Sequence, residues 1–179
     1  MQFSPSQRHL VIKAMEDAEV RTSDYYCIPP FRWQRIRYDL LTRKDPEWRP
    51  LPEGMLARTQ RLQREQHPSD FFRIELNDPG ILTAAYRENL RADLYPFLLY
   101  ILTHEMVHLV RLSHILTDYE QDLIPRETEE LRVSRVVRSI LLAPPAASCL
   151  DRIIEKFSWI PDSEFRLSKS HGAFNSAAS

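Results

Sequence analysis

Hydrophobic and polar positions alternate along this chain mostly with a helical period. Between Ser6 and Val20 the residues Leu10, Ile12, Ala14, Met15 and Ala18 make a partly apolar face, with Ser4 or Ser6 placed to cap a first helix. Phe31 to Arg43 carries Phe31, Ile36, Leu40 and Leu41 against outward arginines. Gly54 to Gln66 puts Arg58, Arg61 and Arg64 on one polar face, so both segments read as further amphipathic helices. Only Ser69 to Asn77 changes period: Phe72, Ile74 and Leu76 alternate with Arg73 and Glu75. This predicts a strand, closed by a turn at Asn77-Asp78-Pro79-Gly80.

The strongest pattern runs from Asp93 to Asp118. Asp93 is an N-cap candidate, and Pro96 falls in the first turn, where a missing N–H costs little. Phe97, Ile101, His104, His108 and Leu112 continue one stripe. The apolar run from Phe97 to Leu102 is far short of the roughly 20 residues a membrane span needs. Pro125 opens another helix to about Leu142, stopped by Pro144-Pro145, with Glu129, Val133, Val136 and Ile140 on its inward stripe. Ala147 to Phe157 follows with Leu150, Ile153, Ile154 and Phe157 inward. The segment from Asp118 to Asp122 reads as an acidic loop, and the tail from Ser168 lacks core residues, as disordered ends do.

These elements predict a mainly α (α+β) fold with a short strand or small sheet, forming one domain over 1–167 with a tail at 168–179. At 179 residues the core needs no metal or disulfide to hold it, and only Cys27 and Cys149 are present, far apart. Neither a cysteine zinc site nor a reactive thiol is indicated. The opening MQFSPSQRHL has no basic stretch followed by a long apolar run, so no signal peptide is read there and a cytoplasmic location is expected. Formal net charge is −1, which gives no basic balance for nucleic acid. The arginines interleaved with Phe31, Trp33, Tyr38 and Trp48 are diluted by Asp39, Asp45, Glu47, Glu53 and Glu65, so a solvated face is the better reading.

Candidate chemistry centres on His104, Glu105 and His108, an H-E-x-x-H sequence within the long helix. Residues four apart share a face, so both imidazoles can turn to one metal ion, while Glu105 lies beside them as the base for a water at that ion. Zinc in a catalytic site takes three protein ligands and leaves one position open. The third ligand is therefore sought elsewhere, among Glu129, Glu130, Glu127 and His114. His114 stands ten residues after His104, as in H-E-x-x-H-x-x-G-x-x-H of the metzincins, but Arg111 replaces the glycine that would let the chain turn back. On an uninterrupted helix His114 is about 15 Å along and about 80° around from His104, out of reach of the same ion. Glu129, on the stripe of Val133, Val136 and Ile140, is the expected ligand, with Glu130 on nearly the same face and Glu127 in the first turn as alternatives. His114, Arg111 and Tyr119 are the candidates to steady an oxyanion.

Taken together, His104 to His108 and the Glu-bearing second helix resemble the gluzincin group of zincin-type metallopeptidases. R-E-T-E at Arg126 to Glu129 is similar to the start of that helix in membrane-associated heat-shock peptidases and IrrE-type regulatory domains. The resemblance covers about Leu94 to Leu142 and departs from those families at Leu131, where they carry a polar residue. It implies a zincin-like fold, a zinc cofactor held by His104, His108 and Glu129, Glu105 as catalytic base, and a peptide or protein substrate. The alternative is a metal-holding regulatory or interaction module without hydrolysis. A di-iron bundle would need a second E-x-x-H, and the chain has none.

Overall fold

The computed structural model describes residues 1–62, 71–113, 125–143 and 148–157. Its described elements are α1 (Pro5–Tyr25), α2 (Pro30–Trp33), β1 (Arg37–Leu41), β2 (Ala57–Leu62), β3 (Phe71–Leu76), α3 (Asp78–Arg87), α4 (Leu94–Leu112), α5 (Arg126–Leu141) and α6 (Ser148–Phe157). The architecture is mainly helical with a small three-stranded sheet, and one hydrophobic cluster runs from Phe3 to Ile154.

Ser4 caps α1 through a capping box with Gln7, and Pro5 occupies a position that needs no N–H donor. The buried stripe is Val11, Ala14, Met15, Ala18 and Thr22, at the i, i+3, i+4, i+7 spacing of a packed helix. Ile12, expected on that face, is 55% exposed, because it stands about 100° round from Val11.

The two segments expected as helices at Phe31–Arg43 and Gly54–Gln66 instead supply β1 and β2 after the short turn of α2. Their apolar residues are too sparse to separate a period of two from one of 3.6, and β3 decides the matter. It is the middle strand of the order β1-β3-β2, with β1 parallel to it, Arg37 opposite Phe71, and β2 antiparallel, Ala57 opposite Leu76. A central strand whose Phe72, Ile74 and Leu76 are fully buried needs hydrogen-bonded neighbours on both sides, and that demand outweighs local propensity. Glu75 is buried on the opposite face and is neutralised by Arg58 at 2.6 Å.

Asn77 ends β3 as expected, yet the residues after it open α3 instead of a plain turn. The Asn77 side chain accepts from the Gly80 N–H at 3.1 Å, and a Cβ on Gly80 would meet that side chain at 2.7 Å.

Helix α4 is the axis of the molecule. Residues Leu94, Phe97 to Thr103, Glu105 to Val107, Leu109 and Val110 are buried, and α1, β2, α5 and α6 all pack on it. Asp93 makes no side-chain cap; its carboxylate pairs with Arg152 of α6 at 2.9 Å. On α6, Leu150, Ile153 and Ile154 are buried as expected, and the Phe157 ring lies 4.5 Å from that of Phe97. No described helix is long and apolar enough to cross a membrane.

Candidate metal centre

Helix α4 stops at Leu112, and Ser113 has extended backbone, so the uninterrupted helix expected to run through His114 ends before it. Over its last two turns His104, His108 and Arg111 lie at i, i+4 and i+7, so one face offers two imidazoles and a guanidinium in a row. The Nε2 atoms of His104 and His108 are 3.1 Å apart, and both rings are largely buried. Helix α5 crosses this face and brings Glu130, whose Oε2 is 3.3 Å from His104 Nε2 and 3.4 Å from His108 Nε2.

The carboxylate beside the histidines is therefore Glu130, and Glu129, the ligand expected from sequence, is engaged elsewhere. Both its oxygens pair with Arg111, Nη2 to Oε2 at 2.8 Å and Nε to Oε1 more closely still. Successive helical residues point about 100° apart, so the two acids cannot face the same target. The buried stripe of α5 is Val133, Val137, Ile140 and Leu141, and Glu130 extends it. The expected stripe ran through Val136, which is only partly buried, and that offset pointed to Glu129 where the acid beside the histidines is Glu130. Glu127 is exposed. His114, Tyr119 and the acidic segment at 118–122 lie outside the described residues, as does the tail from 168.

Glu105 lines the same cleft as the histidines, reaches Thr59 of β2 and is 6% exposed. Thr59 donates its hydroxyl to Glu105 Oε2 at 2.8 Å and also lies 3.2 Å from the Glu105 carbonyl oxygen. Histidines and Glu105 line the floor of a cleft of about 710 Å³ bordered by Gly54 to Thr59, Tyr100 and Arg126. Arg126, one turn before Glu130 on α5, has no ion pair with a described residue. Sequence reasoning did not single out Thr59, and it named Arg126 only as the start of the R-E-T-E motif, with no role at the site. Thr59 lay in a segment read as helix, where nothing tied it to Glu105. The i, i+4 spacing of Arg126 and Glu130 was a usable signal once Glu130 took the place of Glu129.

Electrostatics at the centre favour a cation. Burial raises the Glu130 carboxyl, but hydrogen bonds and charge from His104 and His108 outweigh it and hold the group well below the usual carboxylate range. Burial lowers His108, yet the Glu130 hydrogen bond and the charges of Glu105, Glu130 and Glu129 raise it overall. His108 thus feels the charge of three acids, which stabilise positive charge beside it.

The donor set fits a metal ion. Its sides measure 3.1, 3.3 and 3.4 Å, and three ligands on one face of a tetrahedron with bonds of about 2.0–2.1 Å lie roughly 3.3–3.4 Å apart. Two imidazoles and a carboxylate are also the donors zinc takes in open catalytic sites.

No protein-family model matches this chain, and no curated protein and no solved structure is significantly similar to it.

Proposed function

We propose that this protein is a zincin-like, zinc-dependent hydrolase acting on peptide bonds. His104, His108 and Glu130 hold the metal, and Glu105 is the general base. The observation that carries this reading is the triangle of His104, His108 and Glu130 donors on the floor of a cleft, with the H-E-x-x-H glutamate adjacent. Zinc bound by such a set acts as a Lewis acid, polarising a carbonyl and lowering the pKa of water.

The remaining steps belong to the chain's own residues. Glu105 takes the proton of the attacking water and passes it to the leaving amine, a role open to a carboxylate that is held in place but not sealed by an ion pair. Thr59 holds Oε2 of that carboxylate and leaves Oε1 for proton transfer. Arg111 is committed to Glu129, so Arg126 is the described cation available to steady charge on the carbonyl oxygen. A peptide suits the cleft because β2, which borders it, is one of the two outer strands of the sheet among the described residues, and an outer strand can hydrogen-bond an extended backbone.

Protein purified without chelator should contain about one zinc per chain by elemental analysis, and His104→Ala with His108→Ala should lose it. Against a peptide library read by mass spectrometry, Glu105→Gln should keep the zinc and lose cleavage, because an amide cannot accept the proton. Absence of zinc sinks the proposal. Zinc without cleavage turns the reading to the metal-holding regulatory module.

A further inference from the structure

Two consecutive acids on α5 reach different partners on α4. Glu130 meets the two imidazoles, and Glu129 meets Arg111, three residues beyond His108 on the same face. Arg111 and Glu129 side chains are 18% and 26% exposed, so their contact is shielded from much of the solvent that weakens surface pairs. Their bonding is two-point: Nε and Nη2 of one planar guanidinium on Oε1 and Oε2 of one carboxylate. Such a fork fixes relative orientation as well as distance, which a lysine ammonium cannot do.

The geometry points to the Arg111–Glu129 pair as the positioning element of the metal centre. It sets the rotation and height of α5 against α4 so that Glu130 is the carboxylate delivered to His104 and His108. The inference rests on the metal-centre reading above.

Helical geometry supplies the reason a pin is needed. Glu129 and Glu130 differ by about 100° in direction and 1.5 Å in height, so a modest rotation of α5 would offer the wrong acid or none. The apolar stripe below them, Val133, Val137 and Ile140, tolerates small rotations, since apolar contacts are not directional. A forked ion pair one residue from the ligand is directional. It also occupies Glu129 and so removes it as a competing ligand.

Charge alone makes the opposite prediction. A guanidinium close to the centre repels a divalent cation, so its removal should tighten zinc binding if nothing but charge is involved. Positioning predicts weaker binding on the same substitution. The test is zinc affinity by chelator competition, with the visible absorption of the cobalt(II)-loaded protein as a report on ligand geometry and circular dichroism as a check on folding.

Arg111→Met and Glu129→Gln should each weaken zinc about ten- to hundred-fold and alter the cobalt spectrum. The double variant should be no weaker than the weaker single, because both remove one device. The double variant also guards against misfolding, since it leaves no unpaired charge behind. Arg111→Lys should restore only part of the affinity. Unchanged or tighter zinc binding by Arg111→Met overturns the inference while leaving the metal centre intact. A wild-type chain that binds neither ion overturns both.

Discussion

Thr59 of β2 and Glu105 of α4 are 46 residues apart in the chain, and a single hydroxyl joins them. Thr59 donates to a carboxylate whose partner in the proposed chemistry is a proton, so the hydroxyl does not compete for that role but limits where the carboxylate can swing. Hydrogen bonds to charged groups contribute about 1.5–3 kcal/mol, or roughly ten- to hundred-fold in rate when they act on a catalytic geometry. Thr59→Val, which keeps the branched shape, should lower kcat by about that factor with zinc content unchanged, and Thr59→Ser should restore most of it. Steady-state kinetics beside elemental analysis checks this. A valine variant of full activity removes Thr59 from the mechanism.

At the scale of elements, α1 is held to the rest of the molecule by two acids as well as by its buried stripe. Glu19 accepts from Tyr38 of β1 and from Trp33 Nε1 of α2, and Asp17 accepts from Tyr95 of α4. Burial, reinforced by the bond to Asp17 and its charge, pushes the Tyr95 phenol from 10.0 up to about 12. Because the folded pKa is raised, the stabilisation is full below pH 10 and is lost as pH rises through about 12. Urea denaturation at pH 9 and at pH 11.5 should therefore show a larger loss of stability for the wild type than for Tyr95→Phe. Equal losses would mean that the α1–α4 bond does not survive in solution.

For the whole molecule, the proposed metal centre and the core are separable. The cluster from Phe3 to Ile154 is continuous beneath the centre, and His104, His108 and Glu130 sit at its edge, where α4 meets α5. A domain of this size buries enough apolar surface to fold unaided. Chelated protein should thus melt cooperatively with native circular dichroism. Zinc at 100 times its Kd should then add about 2.7 kcal/mol by mass action. Scanning calorimetry with and without chelator measures the difference. His104→Ala should melt near the apo temperature and show no zinc response. A chain that is unfolded without metal would instead make the centre structural.

Two things were legible from residue order alone: the pair of histidines with its glutamate, and the helices that bury strong apolar stripes. Both are local. A spacing of four on a helix is a property of five residues, and the stripes of α4 and α6 are dense enough to declare their period. The sheet was only partly legible. Phe72, Ile74 and Leu76 announce β3, but β1 and β2 become strands because β3 needs partners for its backbone, and no window of sequence contains that demand. Position on α5 was the least legible feature. Glu129 and Glu130 are adjacent, share the same chemistry and fit equally plausible stripes. Their difference of about 100° becomes a difference of role only when α5 is laid across α4 and Arg111 takes one of them. Tertiary packing alone could make that choice, because the atoms that decide it belong to another helix.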